Sequence, residues 1–542
     1  MTAAATGASP SGTTASPGKV GPGPHWLAIA LPVVVLAIAA AVVVDAGRGT
    51  TFFFDEWIWI MQRRSPGATS LLEPFNNHLM ALPIATYQLL FRVFGLDSQA
   101  PYRLLLLAGH LATCGLLYVY LRRRLGWVVA LGGAAALAFF GYTWAVIIWP
   151  ISLGWVYATT AGIAALLLLD RDTRRSDIGA CAALLIGVLS SGIAVPFVLG
   201  MTVELGMRRT WRRIYVALVP LVVFGTWYLA YSTGTNDRGS VGQILEFAEN
   251  VLAQTVGTLL GVDDRGTAAH VVFAVVVVAV IALWFVLGRP HSPRFVGLVT
   301  ALVAFTALLS YSRATSGLTT WHSYAAAVFV LLVLGELLKG RSLGAIATVA
   351  ISAVVVWSIV WNIGQLHDGS DLQRFRADQM RAQLTAVDLA GPLMDPDYRP
   401  GPLFLETHAG PYLEVAEQYG TPAYTVEELQ DAPAHARQAA DVALVEGIGI
   451  ELEPATPIAG ASCAAIPRSG GLESGDARVT ITARSKPVSV FVGLADPDGG
   501  GRRGAKVGRL GAGDTARLAL PALPDGISWL LSFDDPTAIC LT

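Results

Sequence analysis

Two adjacent carboxylates, Asp55 and Glu56, stand inside the aromatic run Thr51-Phe-Phe-Phe-Asp-Glu-Trp-Ile-Trp59. A carboxylate pressed against apolar rings loses water, and its proton affinity rises towards the range in which it works as a general base. The same residues would equally serve as a helix cap, Asp55 offering an oxygen to free backbone N–H groups while the rings form an interfacial belt. A second polar group comes in Glu73-Pro-Phe-Asn-Asn-His78. Asn77 and His78 suit a phosphate or a sugar hydroxyl, or His78 could join Asp55 and Glu56 around a divalent cation. An interfacial histidine facing water and headgroups is the plainer alternative.

A third group lies in Ser310-Tyr-Ser-Arg-Ala-Thr-Ser-Gly-Leu-Thr-Thr-Trp-His-Ser-Tyr324. Arg313, beside Tyr311, His322 and Tyr324, fits a phosphomonoester or phosphodiester; the alternative is an arginine that snorkels and pairs with a nearby acid. The chain contains no P-loop, no nucleophile elbow, no zinc spacing and no dinucleotide fingerprint, so soluble nucleotide chemistry has no support. Glu204 and Glu336 fall near the ends of apolar runs, which argues against an ion-coupled pump.

The elements that position these residues are set by lipid. Of 542 residues 54% are hydrophobic and 14% charged, and the mean hydropathy is +0.55. The net charge of -2 gives no basic excess for nucleic acid. Residues 1–25 read as a disordered cytoplasmic tail, and residues 26–44 as a retained first span rather than a cleaved leader. Nine clear spans are expected at 26–45, 101–121, 127–148, 151–169, 214–231, 268–288, 295–311, 320–338 and 343–362. Arginine-rich connectors around Arg122–Arg124, Arg171–Arg175, Arg208–Arg213, Arg289–Arg294 and Lys339–Arg341 should all be cytoplasmic. That forces residues 177–206 into a hairpin turning near Ser190-Ser191-Gly192, for about eleven membrane segments and a hint of a cavity at the turn.

Outer loops are then expected at 46–100 and 232–267, with interfacial helices near 79–94 and 244–260, and residues 363–542 lie outside the membrane. Residues 363–455 read as an α/β segment, with helices at 372–389 and 411–419 and strands at 402–406 and 442–445. Residues 456–542 read as a β-sandwich, with strands at 479–483, 488–494, 516–520 and 529–533. Cys463 and Cys540 are a candidate disulfide, whereas Cys114 and Cys181 sit in apolar runs as small hydrophobes.

The acidic pair after the first span, the Asn76-Asn77-His78 element, the Arg313-to-Tyr324 link and the outer C-terminal region together resemble the GT-C superfamily of membrane glycosyltransferases, in particular actinobacterial-type members, over about residues 26–362. The resemblance implies a plasma (inner) membrane enzyme that takes a sugar from a polyprenyl-phosphate carrier and passes it to an envelope glycan acceptor at the extracytoplasmic face. It implies Asp55 as base, Glu56 and His78 as positioning groups and Arg313 as the cation that neutralises the phosphate, with Asn77, His322 and Tyr324 beside the substrate. The donor motifs of the best-known branches are missing, so neither arabinose nor mannose is selected. Two other classes compete: a lipid-linked-glycan transporter or scaffold that tolerates loss of Asp55, and an O-antigen-ligase-like or polymerase enzyme that depends on Arg313 instead.

Overall fold

Backbone buried in hydrocarbon must satisfy its own hydrogen bonds, and a helix does so without outside partners. The computed structural model describes residues 26–232, 239–263, 266–286, 288, 291–341, 344–458, 477–495, 504–524 and 527–542, and among these no strand precedes Glu453. The first helices are α1 (Leu27–Ala46), α2 (Asp55–Gln62), α3 (Ala68–Leu72), α4 (Ala81–Phe94), α5 (Ala100–Leu125), α6 (Trp127–Ala138), α7 (Trp144–Ile147), α8 (Leu153–Leu169), α9 (Arg174–Ser190) and α10 (Ala194–Met207). They continue as α11 (Tyr215–Tyr231), α12 (Val241–Leu259), α13 (Thr267–Val286), α14 (Pro293–Arg313), α15 (His322–Leu337), α16 (Ala345–Ala390), α17 (Ala409–Tyr419), α18 (Val426–Asp431) and α19 (Ala434–Ile448).

Seven described stretches are long and apolar enough to cross a membrane: Leu27–Ala46, Ala100–Leu125, Trp127–Ile147, Pro150–Leu169, Thr267–Val286, Pro293–Arg313 and Ala345–Leu393. By length and composition these seven stand against the expected eleven, which the helix lengths leave unconfirmed. The other four segments are helical, but α10, α11 and α15 have 14, 17 and 16 residues, short of the roughly 20 a span needs, and α9 starts on Arg174, Arg175 and Asp177. The hairpin itself is present, since α9 stops at Ser190 and α10 restarts at Ala194.

The arginine-rich connectors meet at one end of the bundle in a chain of buried charges. Arg124 Nε lies 2.5 Å from Glu336 and its Nη2 3.2 Å from Asp170. Asp170 is shared with Arg294, whose Nη2 stands 3.1 Å away as an ion pair without hydrogen-bond alignment, while its Nε donates to Glu204 at 2.5 Å. Arg208 closes on Glu204 at 2.7 Å and Lys339 on Glu336 at 3.1 Å. Four of the five connectors contribute a member, and Asp170 stands immediately before the fifth.

Helix α16 runs 46 residues, roughly 70 Å at 1.5 Å per residue, so the expected boundary between 362 and 363 falls inside one helix. Asn362 ties it to the bundle by accepting from Tyr142 N–H at 3.0 Å and donating to the Thr258 carbonyl at 3.0 Å. Two turns further, Gly369 lies flush against the Trp144 ring, where any Cβ would collide.

Beyond α16 two expected strands are absent. Residues 442–445 belong to α19, whose Ala436, Ala440, Ala443 and Leu444 form one buried face, and 402–406 is a turn opened by Pro402, which has no N–H to pair. The segment is helical up to β1 (Glu453–Pro454). The remaining strands are β2 (Ala477–Ala483), β3 (Val488–Leu494), β4 (Ala505–Leu510), β5 (Thr515–Leu520), β6 (Trp529–Phe533) and β7 (Ile539–Leu541). They pair antiparallel in two sheets, ordered β1-β5-β2-β7 and β4-β3-β6. Helix α19 packs on the second sheet, and its buried Asp441 accepts from Leu494 N–H at 2.9 Å. Cys540 is disulfide-bonded; Cys463, its expected partner, and the tail 1–25 lie outside the described residues.

Removing one member of a buried ion chain strands its neighbour's charge. Glu204→Ala, which leaves the 2% exposed Arg294 without its strongest partner, is expected to destabilise the protein by about 3–5 kcal/mol, read as a lowered Tm in detergent. Asp172→Asn, at a pair whose carboxylate is 80% exposed, is expected to leave Tm unchanged.

Candidate functional site

The acidic pair divides into two roles by burial. Helix α2 starts at Asp55, and the residue ahead of it, Phe54, sits at φ 51° and ψ −113°, a strained backbone for an aromatic side chain. Glu56 holds that kink. Its carboxylate, fully buried, accepts from Phe53 N–H at 2.9 Å, Tyr87 O–H at 2.7 Å, Trp149 Nε1 at 2.9 Å and Gln99 Nε2 at 2.9 Å. One side chain thus gathers the first loop, α4, the start of α5 and the α7–α8 turn. Burial pushes its proton affinity up to about 7, with the hydrogen bonds opposing.

Asp55 turns the other way, onto a cavity of about 800 Å3. It does not cap α2: the residue at the cap is Phe54, without a side-chain bond, and Asp55 Oδ2 accepts instead from Asn76 Nδ2 at 3.2 Å. The backbone carbonyl of Asn76 in turn accepts from Arg313 Nη2 at 3.3 Å. Desolvation raises the Asp55 carboxyl above its ordinary range, opposed by the Asn76 bond and the Arg313 charge.

The turn that carries Asn76 explains its sequence. Phe75 and His78 exchange backbone hydrogen bonds at 3.0 and 2.8 Å, and Asn76 and Asn77 between them have φ of 49° and 64°. Two consecutive left-handed residues are the signature of a tight type I′ hairpin turn, and asparagine tolerates that region better than other side chains bearing a Cβ. The turn brings Asn77 and His78 to the cavity wall. His78 packs beside Gly192 of the α9–α10 turn, where an added Cβ would stand 3.3 Å from its Nδ1. Burial and the Arg313 charge lower the His78 imidazole to about 4, so it is neutral at pH 7 and presents one donor and one acceptor.

The remaining candidates separate. His322, 3% exposed, reaches the cavity wall and lies 3.2 Å from Thr319 Oγ1. Tyr324, expected beside a substrate, does not line this cavity: fully buried in α15, its hydroxyl pairs with His110 Nδ1 at 2.9 Å. Helical geometry gives the reason, since two residues along a helix turn a side chain by about 200°. Sequence reading missed Asn76 as the link between acid and cation, and it missed Trp149, Trp155 and Trp321, which line the cavity. Tryptophans so far apart in the chain carry no local signal. The Asn-Asn pair did, as a turn of this type. Among the described residues no group of three metal-ligating side chains occurs, and one carboxylate beside a neutral histidine and an arginine is a poor donor set for a divalent cation.

Glu56, raised in the folded state, binds a proton there that the unfolded chain has already lost. Its contribution is therefore full below the unfolded value near 4.5 and lost as pH rises through about 7. The Tm difference between wild type and Glu56→Gln, which does not titrate, is expected to shift against wild type between pH 4.5 and pH 8. Thermal unfolding in detergent across that range measures it, and a flat difference would contradict the raised affinity.

No family model and no curated protein matches the sequence. Among solved structures, the chain is similar to ArnT from Cupriavidus metallidurans bound to undecaprenyl phosphate, with a TM-score of 0.44 and 15% identity over 74% of this chain and 91% of that one. It is also similar to the apo state of the same protein, with a TM-score of 0.45 and 14% identity over 79% of this chain and 96% of that one.

Proposed function

We propose that this chain is a membrane glycosyltransferase of the GT-C type, moving a sugar from a polyprenyl-phosphate carrier to a glycan acceptor at the extracytoplasmic face. The observation that carries the reading is one cavity in which a desolvated carboxylate, a neutral histidine and an arginine converge between tryptophan walls. The lining continues over Val195, Phe224, Phe305 and Leu308 on helices of the apolar bundle, a surface suited to a prenyl tail, while its polar end holds Asp55, Asn77, His78 and Arg313. A lipid-linked donor is divided in the same way, hydrocarbon at one end and phosphate and sugar at the other.

In this arrangement the acceptor hydroxyl gives its proton to Asp55 as its oxygen attacks the anomeric carbon. The bond from that carbon to the carrier phosphate breaks, and its electrons leave with the phosphate. Arg313 offsets the charge that grows on the leaving oxygens. Asn76 keeps acid and cation from collapsing into a direct ion pair by standing between them. His78 and Asn77 hydrogen-bond sugar hydroxyls, and His322 completes the wall. Glu56 positions Asp55 through the Phe54 kink and does not meet the substrate. The division into a transmembrane portion to about residue 362 and outer parts to 455 and 542 stands as part of this proposal, with the C-terminal sheets shaping the acceptor side.

Purified wild type, Asp55→Asn and Arg313→Gln, each confirmed folded, are to be offered a panel of polyprenyl-phosphate sugars with envelope glycan acceptors, and donor consumption followed by mass spectrometry. Wild type is expected to consume one donor, and each variant to lose roughly 10²–10⁴-fold in rate. Undiminished consumption by Asp55→Asn would remove it as base. Lipid binding without consumption of any donor would reject the transferase in favour of a transporter or scaffold.

A further inference from the structure

The cavity is bordered by a run of aromatic rings that polar bonds hold in place. Trp149 is anchored through Nε1, which donates to the buried Glu56 carboxylate at 2.9 Å, and its ring packs 5.3 Å from Phe53, over which the Arg376 guanidinium lies at 5.0 Å. Trp321, immediately before α15, leans on Trp149 with ring centroids 6.1 Å apart and planes at 47°. His322 comes next, 6.0 Å from Trp321, 6.2 Å from Trp155 of α8 and 5.8 Å from Phe247 of α12, and Thr319 Oγ1 holds its ring at 3.2 Å.

Trp149 is almost fully buried, whereas Trp321 and Trp155 are partly exposed, and all three line the cavity. The indole N–H groups of Trp321 and Trp155 make no hydrogen bond among the described residues. An indole face left against water costs free energy that an apolar partner recovers. The aliphatic lining, Val195, Phe224, Phe305 and Leu308, is carried by other helices, α10, α11 and α14, while His78, Ser316 and His322 bring donors and acceptors to the same cavity. A prenyl chain has no hydroxyls for those groups, and a phosphate has no apolar face for the indoles. A sugar ring has both: its C–H hydrogens, slightly positive, meet the negative face of an indole, and its hydroxyls project from the edge.

We propose that Trp321 and Trp155, on either side of the His322 ring contacts, form a stacking subsite for a sugar ring, with Trp149 as the buttress that fixes the angle of Trp321. This rests on the transferase reading for the part the sugar plays, but the stacking itself is testable without turnover. Full-length protein in phosphatidylcholine nanodiscs is mixed with methyl α-mannopyranoside, with methyl α-arabinofuranoside and, as a hydroxylated molecule without a ring, with glycerol. Saturation transfer from the indole hydrogens is then read by NMR on the C–H hydrogens of each. Transfer to the hydrogens of one face of at least one glycoside is expected, with none to glycerol. Trp321→Leu/Trp155→Leu, which keeps apolar volume without a ring, is expected to weaken binding roughly 10-fold, and Trp321→Phe/Trp155→Phe to keep most of it.

No transfer to either glycoside in wild type, equal transfer to both faces of the ring, or binding undiminished in a leucine pair with unchanged Tm would each overturn the proposal. Repeating the measurement with a polyprenyl-phosphate sugar in the nanodisc separates the two sources of the ring. Displacement of the glycoside would assign the subsite to the donor's sugar, and persistence to the acceptor's; both support it. Stacking in a protein that consumes no donor would reject the transferase while leaving the sugar site standing, and donor consumption with KM unchanged for both substrates in the leucine pair would do the reverse.

Discussion

The bundle depends on charges that apolar helices would not be expected to carry. From Lys339 through Glu336, Arg124, Asp170, Arg294 and Glu204 to Arg208, cation and anion alternate along a path that is exposed at its two ends and buried at Glu336, Arg124, Arg294 and Glu204, linking α5, the α8 end, α10, α14 and α15. Inside a membrane the hydrophobic effect does not hold helices together, because lipid tails are as apolar as leucine, so packing and polar contacts must. The chain of charges fixes one end of the bundle. The opposite end is then free to diverge, and it is there, between α10, α11 and α14, that the cavity opens.

A second buried carboxylate does at the open end what the ion chain does at the closed one. Glu56 has four donors from four parts of the sequence, and it sustains the strained backbone at Phe54 that turns its neighbour Asp55 outward. Two acids adjacent in sequence thus end in opposite surroundings, one enclosed by donors and one facing space. Side-chain direction at the start of a helix separates them, and composition does not.

Much of the architecture was legible because lipid imposes long apolar runs and because arginines mark one side. The hairpin at Ser190–Gly192, inferred from charge parity alone, is where α9 breaks, and Ser191 and Gly192 line the cavity. Asp55, Asn77, His78, Arg313 and His322, singled out from three separate stretches of sequence, line that one cavity. The features that escaped were long-range or periodic in a misleading way. Tyr324 faces inward to His110, a partner 214 positions away; residues 442–445 are apolar enough to read as a strand, but α19 needs them for its buried face. The edge strand β7 has three residues, and β4 carries Gly508 in the middle of its run, so neither shows the sustained alternation that betrays a strand from sequence.

The continuity of α16 makes its length a matter of phase. Each residue added to a helix rotates the rest of the chain by about 100° and advances it by about 1.5 Å. Asn362, Gly369, Ser370 and Arg374 all engage the bundle or first loop from fixed angles, and Tyr424 and the α19 face meet the same helix further along. A single inserted or deleted residue near position 365 would rotate the whole C-terminal region by more than a quarter turn against Phe53 and the loop around it. Within α16, therefore, a change of length keeps these contacts in register only when it comes in whole helical turns, a constraint that the loops do not share.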